Sequence, residues 1–246
     1  MTHPDENTPV NNTQPQDSSA TTLDWREGDM PYSLAFGDHF YCQTDGRLEC
    51  GHVFLAGNDL PDRWQAATGI FRIGELGFGT ALNFCETWRQ WKQTRPAGAK
   101  LHFISFELYP MKADEIDRAL SRWPEVDAER QALIKLWPNN PQGQITLQLD
   151  EQTILTVVCG VAFDGIQASP DLFDAWYLDG FAPSRNPDMW SLEIMTALFD
   201  KTVQGGSFAT YAAAGFVRRN LIAAGFTVER RKGFAGKREM LCGTKS

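Results

Sequence analysis

Residues 74–80 read Gly-Glu-Leu-Gly-Phe-Gly-Thr, and they join a predicted buried strand at 71–76 to a predicted helix at 81–91. Glycines at such a joint let the chain turn sharply and leave backbone N–H groups at the helix N-terminus open to a ligand. A dinucleotide-binding turn would carry its third glycine where Leu82 stands. Glu75 would repel a pyrophosphate but attract a positively charged group. The spacing therefore favours an amino-acid-bearing nucleoside, with an ordinary strand–turn–helix joint as the alternative.

A second acidic residue ends the next predicted strand. That strand spans 101–107, and Glu107 closes it, 28 residues after Gly79. A carboxylate here can accept hydrogen bonds from ribose hydroxyls, and open α/β sheets bind ligands at the carboxyl ends of their strands. A surface carboxylate at a strand end is the alternative. The nucleoside we predict is S-adenosylmethionine, with contacts at Glu75, Leu76, Gly77, Phe78, Gly79, Glu107 and Asp179.

The segment Asp179-Gly180-Phe181-Ala182-Pro183 follows a predicted strand at 174–179. Asp179 would lie at the same edge of the sheet, where a carboxylate can orient an amine and accept its proton. Phe181 would form an apolar wall beside it. This pattern predicts methyl transfer to an amine with Asp179 as the catalytic residue. An Asp-Gly turn that leads into a helix cap is the structural alternative.

Strands alternate with helices from residue 70 onward, which predicts an α/β fold with a parallel, doubly wound sheet and helices on both faces. Pro124 and Pro138 punctuate the helices, and Pro187 fits a helix N-terminus. The remaining predicted strands span 154–159, 206–211, 226–232 and 239–242, and the remaining predicted helices span 112–123, 128–137, 188–203 and 213–223.

The chain ahead of this pattern divides into two parts. Residues 1–20 are almost free of apolar side chains, which predicts a disordered tail. Residues 21–65 are predicted to form a small β-rich extension. In it, strands at 39–42 and 52–55 would flank an Asp45-Gly46 turn as a hairpin. The main domain is then expected to span 66–246.

Composition excludes several classes of protein. The 246 residues are 42% hydrophobic with a net charge of −8, and no apolar run is long enough for a membrane span. Five scattered cysteines and four histidines without metal-ligand spacing predict neither disulfides nor a metal site. No secretory signal is readable at the N-terminus. We therefore expect a cytoplasmic protein without membrane or metal partners.

Positive charge is concentrated at the C-terminal end. Residues 201–246 carry nine basic and two acidic side chains, a net of +7, whereas the preceding 200 residues sum to −15. Such asymmetry predicts a face that meets an anion, with a solvated helix and strand surface as the alternative. Within it, the loop 233–236 is flanked by basic residues and offers an aromatic ring. The predicted RNA contacts are Lys232, Phe234, Lys237 and Arg238.

Five motifs together resemble one family: GELGFGTALNF, FISFE, YLDGFAPSRNPDMW, ATYAAAGFVRRNLIAAGF and RRKGFAGKREMLCG. They are similar to the bacterial tRNA methyltransferases that complete 5-methylaminomethyl-2-thiouridine at the wobble position. The similarity runs from about residue 23 to residue 243. It implies a class I methyltransferase fold, S-adenosylmethionine as the donor, and methylation of the exocyclic amine of 5-aminomethyl-uridine in the tRNA anticodon loop.

The resemblance also assigns residues. Glu75, Gly77 and Gly79 match the donor-binding turn, Glu107 matches the ribose acid, and Asp179 matches the acid beside the transferring methyl. The loop expected to bound the uracil contains Phe181 and Pro183.

Two positions depart from the family pattern. Ala81 stands where members often have a third glycine, and Val158-Cys159-Gly160-Val161 replaces a Gly-Asp pair whose acid contacts adenine. Fused members of the family carry a second, FAD-dependent domain. The sequence shows no second glycine-rich motif of the kind that binds a dinucleotide such as FAD. We therefore expect a stand-alone methyltransferase that depends on another enzyme for its aminomethyl substrate.

Three alternatives remain open. One is a methyltransferase that acts on a small amine or a protein. A nucleotide-dependent oxidoreductase is disfavoured by Glu75 and by the missing third glycine. A non-catalytic RNA-binding module that retains the fold is the third.

Overall fold

A mixed sheet of eight strands forms the centre of the molecule, in the computed structural model that describes residues 23–246. The predicted disordered tail, 1–20, lies outside the described residues. The strands are β4 (Ile70–Leu76), β5 (Lys100–Glu107), β6 (Gln144–Asp150), β7 (Thr153–Cys159), β8 (Phe173–Tyr177), β9 (Thr202–Thr210), β10 (Thr227–Lys232) and β11 (Glu239–Thr244).

The sheet has the order β10-β11-β9-β8-β4-β5-β7-β6. The five central strands are parallel, as expected for strands connected through helices. The predicted α/β fold with a doubly wound sheet is confirmed, but the prediction of an entirely parallel sheet is wrong at both edges. There β6 and the β10–β11 hairpin pair antiparallel, because short turns connect β6 to β7 and β10 to β11.

Helices cover both faces of this sheet. They are α3 (Leu82–Thr94), α4 (Ala113–Leu120), α5 (Asp127–Leu136), α6 (Ala162–Ala168), α7 (Leu192–Asp200) and α8 (Gly215–Ala224).

Side chains alternate across the sheet and so build two separate cores. Ala175 and Tyr177 of β8 join the core that packs against α3, α4 and α5, whereas Trp176 between them joins the core that packs against α6, α7 and α8. All three are fully buried. Because the period of a strand is two residues, a continuous apolar run can supply both cores at once.

The N-terminal extension forms a three-stranded antiparallel sheet, with β1 (Leu23–Arg26), β2 (Met30–Ser33) and β3 (Asp38–His39). The predicted hairpin around Asp45 is wrong. The Asp45 side chain instead accepts a hydrogen bond from the backbone N–H of Leu48 and caps α1 (Gly46–Cys50).

A π-helical turn at Gly51–Leu55 continues α1, and α2 (Leu60–Gln65) follows. Val53, Phe54 and Leu55 are buried in the core against α3 and the sheet. A run of apolar residues can be buried in a helix as well as in a strand. The run at 52–55, which the pattern predicts as a strand, is buried here in a helical segment.

The predicted helix at 188–203 also differs. Ser191 accepts a hydrogen bond from the N–H of Ile194 and starts α7, after a short 3-10 helix at Pro187–Trp190. The helix ends at Asp200 because β9 already begins at Thr202. In the described part of the chain, no helix has the length and apolar character to cross a membrane.

Candidate functional site

A cavity of about 440 Å³ lies at the carboxyl ends of β4, β5, β8 and β9. Its volume falls in the usual range for small-molecule sites. The turn after β4, the end of β5 and the loop after β8 form one side. The N-terminal extension forms the other side, and its lining residues are Asp38, His39, Phe40, Tyr41, Cys42, Gln43, Gly46, Glu49, Cys50 and Phe54.

The turn after β4 has the left-handed backbone that its glycines suggest. Gly77 has φ +83° and Gly79 has φ +50°, and both line the cavity. Ala81 also has a positive φ, +66°, immediately before α3. The position that departs from the family pattern therefore adopts a conformation that favours glycine.

Glu107 lies beside this turn at the end of β5. Its Oε2 accepts a hydrogen bond from the N–H of Gly79 at 2.9 Å, and its Oε1 accepts one from the N–H of Tyr109 at 2.7 Å. The N–H of Gly77 donates to the carbonyl of Phe106 at 2.9 Å. The turn and the strand-end acid, which are 28 residues apart in sequence, are thus joined directly.

Two predicted donor contacts lie behind the cavity. Glu75 is fully buried, and Leu76 belongs to the core against α6, α7 and α8. Neither is among the cavity-lining residues. Burial raises the pKa of Glu75 well above its usual range. Its Oε1 accepts a hydrogen bond at 3.0 Å from Asn83, which does line the cavity.

Asp179 lines the cavity just beyond the end of β8. Its Oδ1 accepts a hydrogen bond from the N–H of Gly180 at 2.8 Å, and its Oδ2 accepts one from Asn83 at 2.7 Å. Burial nonetheless dominates and raises the pKa of Asp179 to about 7. A carboxyl group with this pKa can exchange a proton near neutral pH.

The loop after Asp179 is held by the N-terminal extension. The ring of Phe181 stacks on Phe36, with centroids 4.6 Å apart, and meets Phe40 edge-on at 5.2 Å. The N–H of Ala182 donates to Asp38 at 3.1 Å. Phe181 lines the cavity, while Pro183 is partly buried outside the lining.

Tyr211, one residue past β9, forms another part of the wall. Its hydroxyl donates to the carbonyl of Gly180 at 2.6 Å, and burial raises its pKa well above its usual range. The ammonium of Lys237 lies 4.2 Å from the centre of the Tyr211 ring and donates to Glu49 at 2.7 Å. Lys237 therefore lines the cavity and connects the C-terminal hairpin to α1.

The other predicted RNA contacts lie outside the cavity. Lys232 and Arg238 are exposed, and neither has an ion pair within residues 23–246. Phe234 is partly buried against the core, with its ring 5.9 Å from that of His52. Lys237 thus lines the cavity, whereas Lys232 and Arg238 lie outside it.

Between residues 159 and 168, no acidic residue lines the cavity. Val161 is 56% exposed, and Asp164 is exposed on α6 outside the cavity lining. Within residues 23–246, no cluster of His, Cys, Asp or Glu side chains is arranged to hold a metal ion.

Sequence reasoning missed several residues of the site. Asn83 lies in GELGFGTALNF and Tyr211 in ATYAAAGFVRRNLIAAGF, and their places at a helix start and a strand end are a usable signal. Glu49 gave no such signal, because its segment was assigned to a hairpin rather than to α1.

The fold and the cavity define a class I methyltransferase. Four carboxylates line the cavity, and two of them, Glu107 and Asp179, lie at the strand ends beside Gly77 and Gly79, where they are available to a cationic nucleoside. S-adenosylmethionine, which carries a sulfonium, an ammonium and ribose hydroxyls, fits this set of groups. The chain belongs to a family described as S-adenosyl-L-methionine-dependent methyltransferases, whose family model matches residues 124–246.

Two similar relatives are each named "tRNA 5-methylaminomethyl-2-thiouridine biosynthesis bifunctional protein MnmC". The protein from Chromohalobacter salexigens is 43% identical over 226 residues, which cover 90% of this chain and 32% of the relative. The one from Ectopseudomonas mendocina is 42% identical over 230 residues, which cover 92% and 35%. The chain thus spans about a third of the length of these relatives.

A solved structure, described as MnmC2 from Aquifex aeolicus, has a similar fold. It superposes with a TM-score of 0.72 at 18% sequence identity, and the match covers 94% of this chain and 72% of that one. The predicted methyltransferase fold and the predicted donor, S-adenosylmethionine, are both confirmed.

Proposed function

We propose that this chain methylates the exocyclic amine of 5-aminomethyl-(2-thio)uridine at the wobble position of tRNA, giving 5-methylaminomethyl-(2-thio)uridine. The observation that carries the proposal is the carboxyl group of Asp179, which faces the cavity with a pKa near neutrality. The identity of about 43% to relatives named for biosynthesis of this nucleoside supports the choice of substrate.

Asp179 would act on the amine. The bound donor supplies a methyl group on a positively charged sulfur. An ammonium has no lone pair, so the amine must be neutral when its nitrogen forms the new bond. Asp179 would accept the proton that the amine releases and hold the nitrogen in line. Positioning of this kind contributes roughly 7–11 kcal/mol in the best intramolecular cases.

The walls around Asp179 suit a base with a short side arm. Phe181 and Tyr211 present aromatic surface to the cavity, and the backbone of the 179–182 loop is fixed through Asp38 and Tyr211. In this proposal the extension, 21–65, covers the cavity of a methyltransferase domain at 66–246. The uracil would lie against Phe181, with its aminomethyl group directed at Asp179.

The C-terminal hairpin would meet the anticodon loop. Lys232 and Arg238 offer exposed positive charge for phosphates. Phe234 is only partly open to a base, so its stacking contribution is expected to be smaller than that of an exposed ring. Lys237 would contribute inside the cavity instead, where it already contacts Glu49.

The substrate implies an earlier reaction. The methyl acceptor is itself a modified base, so another enzyme activity must first place the aminomethyl group on the uridine. Because tRNA is matured in the cytoplasm, we propose that the methyl transfer takes place there.

The test is incubation of the protein with labelled S-adenosylmethionine and tRNA from cells that lack the modification, followed by nucleoside analysis. We expect label in 5-methylaminomethyl-(2-thio)uridine, and none with fully modified tRNA. Label in a small amine or in protein, with none in tRNA, would replace this proposal by the alternative substrate class. The absence of donor binding in a calorimetric titration would favour the non-catalytic module.

A further inference from the structure

Asn83 connects two acids that the sequence treats separately, the buried Glu75 and the partly buried Asp179. It is the second residue of α3 and follows the left-handed turn at Ala81. Its Nδ2 donates to Oδ2 of Asp179 at 2.7 Å and to Oε1 of Glu75 at 3.0 Å. Both protons of one amide nitrogen are thereby used, which fixes the orientation of the amide.

The same contacts fix the carboxylate of Asp179. Its Oδ2 is held by Asn83, while its Oδ1 accepts from the N–H of Gly180 at 2.8 Å. One donor comes from a helix and the other from the loop after β8, so the plane of the carboxylate is set from two sides. Such support is what keeps a reacting group within the narrow range of productive geometry.

Glu75 is joined by a hydrogen bond to a cavity-lining residue through Asn83. Its side chain is fully buried and does not line the cavity, and its Oε2 has no hydrogen-bond partner within the described residues. An acid placed in this way orients Asn83 but has no surface to offer a ligand.

We propose that Asn83 is a positioning residue for the methyl transfer, which it serves by fixing the Asp179 carboxylate, and that Glu75 acts on the site through Asn83. This inference rests on the proposed function for the role of Asp179 in the reaction. It differs from the sequence-based expectation, in which Glu75 contacts the donor directly.

Asn83 also affects the charge of Asp179. Hydrogen bonds donated to a carboxylate favour its charged form, so the Asn83 contact lowers the pKa of Asp179 while burial raises it. The other titratable groups that face Asp179 come from β4, α1, the end of β9 and the C-terminal hairpin. They are Glu75, Glu49, Cys50, Tyr211 and Lys237.

The first experiment follows the Asp179 carboxyl directly, by ¹³C NMR titration of the protein without donor or tRNA. Asn83→Ala should move its midpoint upward by about one to two pH units, the equivalent of one hydrogen bond to a charged group. Gln93→Ala, an exposed amide on the same helix, is the matched control and should move nothing. An unchanged midpoint in Asn83→Ala overturns the proposal.

A double variant tests the route from Glu75. Glu75→Gln should shift the Asp179 midpoint, and the shift should fall by at least half when Asn83 is already alanine. Equal shifts in both backgrounds would mean that Glu75 acts without Asn83. If Asn83→Ala does not fold, Asn83→Leu replaces it. Its side chain is close to asparagine in size but has no hydrogen-bond donor, so the same upward shift is expected.

Kinetics separate positioning from mere structural support. In Asn83→Ala the acidic limb of the kcat profile should move to higher pH together with the NMR midpoint, whereas a structural defect would lower kcat equally at every pH. The NMR titration needs no substrate. A wild-type protein inactive on tRNA would therefore overturn the proposed function alone, and an unmoved midpoint would overturn this inference alone.

Discussion

The carboxylate of Glu107 accepts a hydrogen bond from the backbone N–H of Gly79 at 2.9 Å, so the end of β5 holds the turn that follows β4. The two features that the sequence suggests as separate parts of a donor site are joined by this hydrogen bond. Its other oxygen is engaged by the N–H of Tyr109, which fixes the chain beyond the strand. Any ligand held by Glu107 is therefore held against a turn of defined shape.

Replacing Glu107 should weaken donor binding. Glu107→Ala removes the acceptor for Gly79 and the predicted acceptor for the ribose, so we expect the affinity for S-adenosylmethionine to fall by about tenfold to a hundredfold. Isothermal calorimetry measures it. Glu151→Ala, an exposed acid on the turn between β6 and β7, is the matched control. Equal donor affinity in the two variants would remove Glu107 from the donor site.

Asp179→Asn should separate catalysis from folding. The amide preserves shape but cannot accept the amine proton, so single-turnover transfer at saturating donor should slow by about 10²–10⁴-fold. Far-UV circular dichroism should not change. Asp164→Asn alters an exposed acid outside the cavity and should leave the rate unaltered. A wild-type rate in Asp179→Asn rules out a role as the base.

The raised pKa of Asp179 also predicts how stability depends on pH. The folded protein keeps this proton up to about pH 7, whereas an unfolded chain releases it near the ordinary value of 3.8. The folded state thus binds more protons between these values, and the free energy of unfolding falls as pH rises through them. Below pH 4 both states are protonated and the stabilisation is complete.

Urea denaturation of wild type and Asp179→Asn at pH 5 and pH 8 measures this effect. The variant has no such proton to lose, so its free energy of unfolding relative to wild type should be higher at pH 8 than at pH 5. The comparison is repeated in a Glu75→Gln background, because burial and the charge of Asp179 both raise the pKa of Glu75, which therefore differs between the two proteins. The same difference at both pH values would contradict the assignment.

How far the sequence predicts this molecule depends on the range of the interactions involved. The order of strands and helices from β4 onward follows from local periodicity, and so do the glycine turn and the acids at strand ends. The α1 segment does not, because Asp45 can serve either a hairpin turn or a helix cap. The choice is made by the burial of Val53 and Phe54 against elements distant in sequence.

In the site, too, the features set by local sequence are predictable and those set by distant contacts are not. The sequence predicts that Glu107 and Asp179 lie close together, because the ends of parallel strands converge at one side of the sheet, and both line the cavity. The position of Glu75 cannot be predicted in this way, because whether an acid faces a cavity or lies behind an asparagine depends on side-chain packing. Lys237 belonged to a charged run in the sequence, yet its contact with Glu49 spans 188 residues, and no local pattern encodes it.

Ala81 offers a test of backbone strain. Its φ of +66° costs an L-residue about 1–2 kcal/mol, while its buried methyl group contributes about 0.8 kcal/mol. Ala81→Gly should therefore be neutral or more stable by up to about 1 kcal/mol in urea denaturation. Ala119→Gly, buried within α4, loses both the methyl group and helix propensity, and should cost about 2 kcal/mol. Equal destabilisation of both variants would show that Ala81 is unstrained.

The C-terminal hairpin contains two kinds of basic residue. Arg230 and Arg231 have acidic partners in Glu239 and Glu229, whereas Lys232 and Arg238 are exposed without an ion pair within residues 23–246. Basic side chains that have no acidic partner within the protein are the ones available to bind phosphates.

The double variant Lys232→Ala/Arg238→Ala should therefore bind unmodified tRNA more weakly, and the slope of log affinity against log salt should decrease by about 0.7 for each lost phosphate contact. Filter binding at several salt concentrations measures both quantities. Donor affinity should stay at the wild-type value, because neither residue lines the cavity. Lys100→Ala/Lys135→Ala makes the same change in net charge at two exposed lysines, with Lys100 at the amino end of β5, and controls for it. If both double variants lose tRNA affinity equally, the hairpin has no specific part in RNA binding and general charge explains the effect.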